Sequence, residues 1–162
     1  MHESDSIVDP NQPKPALYAQ IAAQVEALTA GERDLVANLA NTASLLYHSL
    51  LDLNWLGFYL LKDGELVVGP FQGKPACVRI ALGKGVCGTA AARRATVIVE
   101  NVHEFDGHIA CDTASNSEIV VPIVRGTELI GVLDLDSPKF ARFDAQDQAG
   151  LEKVVATLLK AL

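Results

Sequence analysis

Trp55-Leu56-Gly57-Phe58-Tyr59-Leu60-Leu61 is a short aromatic and aliphatic run, and Lys62-Asp63-Gly64-Glu65 follows it directly. A run of that kind reads as a strand, Asp-Gly is a hairpin signal, and residues 66–71 return as the partner strand. Upstream the period changes. Leu17, Ile21, Val25 and Leu28 recur at helical spacing behind Pro15, which suits a first helical turn. Gly31 breaks that run. Thr29-Ala30-Gly31-Glu32 reads as a capping box with Thr29 as N-cap. It opens a second helix carrying Leu35, Leu39, Ala43, Leu46 and Leu50 on one stripe and ending near Leu51.

Downstream of the hairpin, Gln72-Gly73-Lys74-Pro75 is a loop and 77–82 a third strand. Gly83-Lys84-Gly85 makes a flexible turn, 86–94 a short helix of small residues, and 96–100 a fourth strand. Residues 101–117 are polar and aperiodic, a loop long enough to be either functional or disordered. Two more strands, 119–124 and 129–135, are joined by Arg125-Gly126-Thr127-Glu128. Asp144 then caps a last helix with Leu151, Val155, Leu158 and Leu159 on its buried stripe. Helices at both ends, hairpins between and no regular βα alternation predict an α+β fold. The expected architecture is an antiparallel sheet of about six strands with the terminal helices on one face. The short helix and the long loop enclose a ligand pocket on the other. Residues 1–14 are expected to be a mobile tail and 15–162 a single catalytic domain.

The chain has 162 residues, enough to bury a core without disulfide staples, with 49% hydrophobic and 20% charged residues. Its formal charge of −7 argues against nucleic acid or an anionic membrane as partner. No apolar run is long enough to span a bilayer, and Met1-His2-Glu3-Ser4-Asp5 lacks the features of a signal peptide, so the expected compartment is the cytoplasm. Three cysteines do not make a secreted disulfide framework, and in a reducing compartment they are either inert or chemically active.

All three fall between residues 77 and 111. Cys111 sits in His108-Ile109-Ala110-Cys111-Asp112-Thr113, with polar neighbours on its C-terminal side. It is either an incidental loop thiol or a nucleophile beside a pocket. Cys87 stands at a helix start, where a thiolate is stabilised, yet it serves equally as a small packing residue. Cys77 could reach Cys111 and close a disulfide, provided the Cα atoms come within roughly 7 Å, which sequence does not establish. Asp134 and Asp136 share one face of a strand, with Leu133 and Leu135 on the other; Glu118 opens the neighbouring strand. If that face is solvent the acids are merely hydrophilic. If it is a pocket, they suit a ligand ammonium or a proton-donating role. Trp55 and Tyr59 share a strand face, where aromatics usually pack in a core but one could wall an apolar sub-pocket. His103, His108, Cys111 and Asp112 lie near one another without a metal-ligand spacing, so no metal is expected. No phosphate-cradling glycine motif is present.

Several stretches together resemble one family. They are Asn54-Trp55-Leu56-Gly57-Phe58-Tyr59, Gly69-Pro70-Phe71-Gln72-Gly73-Lys74-Pro75-Ala76-Cys77 and Gly83-Lys84-Gly85-Val86-Cys87-Gly88. The Cys111 loop and Gly131-Val132-Leu133-Asp134-Leu135-Asp136-Ser137 complete the set. The family is that of the free methionine-R-sulfoxide reductases, single-domain enzymes of the GAF fold, and the likeness covers nearly everything after residue 15. It implies that Cys111 attacks the sulfoxide sulfur and becomes a sulfenic acid. Cys77 resolves that acid to a disulfide which thioredoxin reduces, and Cys87 is a further cysteine that pairs in some members. Glu118, Asp134 and Asp136 hold the substrate and help protonate its oxygen, and Trp55 borders the methyl group. Tyr59 is kept with these as a substrate-binding candidate. Preference for the R epimer rests on the resemblance alone.

The chemistry is consistent with those roles. A sulfoxide oxygen leaves only once protonated, and a carboxylic acid of raised pKa beside the thiol supplies that proton. The ammonium of a free amino acid calls for a carboxylate, and its own carboxylate for donors, here guessed as the Ser115-Asn116-Ser117 backbone amides. The resemblance implies no bound cofactor and electrons from thioredoxin, fed by NADPH through its reductase; attack, sulfenic acid and disulfide exchange are ordinary thiol steps. A homodimer is left open. The rival reading is a GAF-type module that binds a nucleotide or records oxidation without turnover. A sensor usually carries an output domain, and none is expected here.

Overall fold

The computed structural model describes residues 8–109 and 111–162. Four helices and six strands follow in the order α1 (Lys14–Thr29), α2 (Leu35–Ser49), β1 (Trp55–Lys62), β2 (Glu65–Gly73), β3 (Arg79–Ala81), α3 (Gly85–Arg93), β4 (Val97–Val99), β5 (Ser117–Arg125), β6 (Glu128–Ser137) and α4 (Ala145–Leu159). All strand pairs are antiparallel, in the order β3-β2-β1-β6-β5-β4. The β1–β2 hairpin forms as the sequence predicts. Asp63 and Gly64 both take positive φ, 52° and 83°, the geometry that matches the strand twist.

The sheet has two covered faces. On one, Leu56 and Phe58 of β1, Ile119, Val121 and Ile123 of β5, and Leu133 and Leu135 of β6 pack against α1, α2 and α4. The three helices close that side because their apolar stripes have no other surface to bury against. On the other face, Trp55, Tyr59, Val120 and Val132 meet the small residues of α3 and the segment after β4. Close approach makes that second layer thin: a Cβ at Gly88 would fall on the Ala81 carbonyl oxygen. A larger residue there would lift α3, and Cys87 with it, off the sheet.

Three expectations change. Thr29 is not an N-cap but the last residue of α1, its hydroxyl donating to the Val25 carbonyl at 2.8 Å. The chain turns through Gly31 (φ +75°), so α2 starts later, and its cap is Asp34, which accepts from the Ala37 N–H at 2.8 Å. Cys77 does not lie on a strand. The third strand is only Arg79–Ala81, paired with Glu65, Leu66 and Val67. Cys77 precedes it in a loop, where its carbonyl accepts from Tyr59 Oη at 3.1 Å. Of the expected tail over 1–14, residues 1–7 lie outside those described. Val8 is buried in the helical core, and Lys14 already begins α1, its ammonium 2.7 Å from Asp147 and 2.8 Å from Asp144.

α4 starts as read. Asp144 accepts from the Gln146 and Asp147 N–H groups while the Asp147 carboxylate accepts from the Asp144 N–H, a reciprocal capping box. Asp147 also accepts from Tyr18 Oη at 2.7 Å and is fully buried, so this one carboxylate ties α1 to α4. Among the described residues no helix is long and apolar enough to cross a membrane.

Candidate active site

Strand register brings the acids together. In β6, Asp136 stands opposite Trp55 of β1 and Glu118 of β5. Asp134, two residues away on the same face, stands opposite Gly57 and Val120. Gly57 has no side chain to fill its place, and the Trp55 ring lies over it. The three acids therefore converge under α3, which lays Cys87 on top of them. Cys87 Sγ is 3.9 Å from Glu118 Oε1. Cys87, Glu118 and Asp134 are only 4–5% exposed. Asp136 is more accessible, and with Trp55, Tyr59 and Lys84 it lines the same pocket.

Burial and mutual repulsion set the electrostatics. Burial pushes the Glu118 carboxyl well above its ordinary range, and the charges of Asp134 and Asp136 push it further. Burial raises Asp134 as well, and burial with the Asp134 charge lifts Asp136 well up. The Cys87 thiol is driven up by the same desolvation and by Asp134 and Glu118, so it stays a thiol. His108 Nε2 lies 3.9 Å from Glu118 Oε2, but burial and the neighbouring His103 lower its pKa. Its ring is then neutral at pH 7 and brings no positive charge to the acids, of which Glu118 and Asp134 hydrogen-bond with each other. Asp134 Oδ1 is buried and has no hydrogen-bond partner among the described residues. Such a cluster holds protons or recruits a cation.

Cys77 and Cys111 form a disulfide with Cα atoms 5.7 Å apart. Cys111 is exposed at the pocket mouth, Cys77 half-buried, and Cys87 remains a free buried thiol. Two aromatics pin the Cys77 loop from below: Trp55 Nε1 donates to the Lys74 carbonyl at 3.1 Å and Tyr59 Oη to that of Cys77. The Cys111 loop is anchored by Asn54, whose amide donates to Asp112 Oδ2 at 3.1 Å and Ser115 Oγ at 3.0 Å.

The sequence reading missed Asn54, although its position as the last polar residue before β1 marks it. It weighed His108 only as a metal ligand, because its approach to Glu118 depends on the loop's path. Two of the guessed carboxylate donors are already engaged. The Ser115 N–H donates to the Asp112 carbonyl at 3.3 Å and the Asn116 N–H to that of Ser137 at 2.8 Å. The Cys87 thiol is not paired in this structure, and its place between Glu118 and α3 suits packing as well as chemistry.

The GAF domain family matches residues 29–162. A free methionine-R-sulfoxide reductase of Escherichia coli is 58% identical, over 92% of this chain and 90% of that protein. One from Saccharomyces cerevisiae is 41% identical over 98% and 93%. The chain belongs to the free methionine-R-sulfoxide reductase family. The crystal structure of the Neisseria meningitidis reductase in complex with its substrate superposes with a TM-score of 0.91 at 44% identity, covering 96% of this chain and 94% of that one. Family membership and the GAF-type α+β fold both agree with the sequence reading. So does a thiol-based reductase, a chemistry for which this chain carries a closed cysteine pair beside a cluster of acids.

Proposed function

We propose that the chain reduces free L-methionine-(R)-sulfoxide to methionine by thiol chemistry in this pocket. The observation that carries the reading is the Cys77–Cys111 disulfide at the mouth of a cavity floored by three carboxyls of raised pKa. In the reduced enzyme the Cys111 thiolate attacks the sulfoxide sulfur while a protonated acid, Glu118 or Asp134, hands its proton to the oxygen. The S–O bond transfers to Cys111, methionine leaves, and Cys111 holds a sulfenic acid. Cys77 then attacks that sulfur and expels water, closing the disulfide. Sulfoxide and two thiols become thioether, disulfide and water, so electrons and atoms balance.

An ionised member of the acid cluster receives the substrate ammonium, and Trp55 with Tyr59 walls the side that takes the S-methyl group. With the 115–116 amides occupied, the donors left for the substrate carboxylate are Lys84 and the first-turn N–H groups of α3, which open onto the pocket. Burial of the acids excludes a peptide-bound sulfoxide, whose amide nitrogen carries no charge to meet them. Electrons enter when a thioredoxin, itself reduced through NADPH and its reductase, opens the disulfide. That cycle belongs in a reducing compartment such as the cytoplasm. No nucleic acid takes part.

The test offers each methionine sulfoxide epimer, free and within a peptide, to the enzyme with thioredoxin, its reductase and NADPH. Turnover of the free R form alone is expected; equal turnover of free and peptide-bound forms overturns the reading. Cys77→Ser is expected to release about one methionine per enzyme and then stall. Sustained thioredoxin-driven turnover in that variant would remove Cys77 from the resolving role.

A further inference from the structure

Among the described residues, Cys87, Glu118 and Asp134 form one buried group in which the Sγ and one carboxylate oxygen from each acid lie within 4.8 Å of one another. A substrate ammonium needs only the carboxylates; nothing in methionine calls for a thiol on the same side. The sulfur of Cys87 sits 3.9 Å from Glu118 Oε1. A tetrahedral zinc ion with bonds of about 2.3 Å to sulfur and about 2.0 Å to oxygen holds its S and O ligands about 3.5 Å apart, so small side-chain adjustments suffice. Asp134 lines the pocket and its carboxyl hydrogen-bonds with Glu118 and Cys87, yet its Oδ1 is buried with no hydrogen-bond partner among the described residues. An unsatisfied buried carboxylate oxygen is costly, and a cation relieves it. The pocket that all three line holds ≈ 40 Å³ in total, above the roughly 10–15 Å³ that one water needs, so the pocket has room for a water as fourth ligand.

We infer that the pocket has a second ligand class, a borderline-soft divalent cation such as Zn²⁺, held by Cys87 Sγ, Glu118 and Asp134 with its fourth position open to water. One thiolate with two carboxylates selects zinc or cobalt over magnesium and calcium, which prefer all-oxygen sites. The ion enters as the thiol and any carboxyl proton leave, so binding releases protons to solvent. It occupies the place of the substrate ammonium and therefore competes with methionine sulfoxide, raising its KM without lowering kcat. The Cys77–Cys111 disulfide does not involve Cys87, so the site persists when that bond is closed.

This last point supplies a test independent of turnover. In the disulfide-closed protein Cys87 is the one free thiol, so a thiolate-to-metal band reports on it alone. Cobalt(II) is titrated into that protein and followed by absorbance. One equivalent with a thiolate-to-cobalt charge-transfer band is expected, displaced by zinc and by free methionine. The band is expected to vanish in Cys87→Ser. Glu118→Gln keeps the thiol and is expected to weaken binding at least about tenfold, with circular dichroism confirming that it folds. The inference is overturned by a band of undiminished intensity in Cys87→Ser, by unchanged affinity in a folded Glu118→Gln, or by no band up to about 1 mM cobalt.

Discussion

β6 separates two regions that differ in kind rather than in burial. Leu133 and Leu135 are 0% exposed beneath α1, α2 and α4, and Asp134 between them is 5% exposed on the opposite face. An antiparallel strand with one wet face alternates apolar inward and polar outward. Here both faces are covered, so the alternation divides a packed core from a desolvated acid cluster. One side stabilises the fold by burying apolar area. The other withholds carboxyls from water and crowds their charges together, and that stores reactivity at a cost in stability. Mutations on the two faces should therefore have opposite signatures.

The largest effect belongs to the pocket. Cys111→Ser is expected to lower turnover at least about 10⁴-fold, read by NADPH consumption, because no other exposed thiol faces the substrate. Glu118→Gln comes next. It should cost about 10²–10⁴ in kcat/KM, yet melt no lower than the parent at pH 8, because the amide removes an ionisable group from a buried cluster of like charges. A variant losing both activity and stability would erase the distinction between the faces.

Leu135→Ala on the core face should do the reverse. It is expected to lower stability by about 2–5 kcal/mol in denaturant melts while the kcat of the folded fraction stays near the parent value. Smaller still is a dependence on pH. The pocket acids have raised native pKa values, so the native state binds protons that the unfolded chain has lost. The melting temperature should fall as pH rises from ordinary carboxylate values near about 4 through the raised native range, by about 2–4 °C per kcal/mol. Glu118→Gln with Asp134→Asn should flatten that slope, and an unchanged slope would place its origin elsewhere. The smallest effect is Asp144→Ala. Loss of the α4 cap should cost about 1 kcal/mol and leave the pocket chemistry intact.

Much of this was legible in the chain because it rests on local rules. Asp63-Gly64 demanded positive φ, so the β1–β2 hairpin followed. The two-residue period of Leu133, Asp134, Leu135 and Asp136 divided them between faces whatever lay above. The helical stripes of α1, α2 and α4 required a common apolar surface. Thr29 was misread because threonine followed by glutamate fits a capping box, while Asp34 a few residues on fits a cap equally well, and only the turn through Gly31 decides between them. Cys77 was placed on a strand because Val78, Arg79 and Ile80 extend its run. The loop is instead held by Tyr59 and Trp55 from another strand.

The sequence by itself determined the order of elements, the face on which each β6 residue lies, and, through its motif stretches, the family. Tertiary structure decided what those faces meet. That the face bearing Asp134 and Asp136 is a pocket and not solvent follows from α3 and the long loop folding over it. That Cys77 and Cys111, 34 residues apart, are neighbours follows from Asn54, Trp55 and Tyr59 fixing both loops from one strand end. The physical reason is range: dihedral preference and side-chain period act over a few residues, whereas desolvation and thiol proximity are set by segments far apart in the chain.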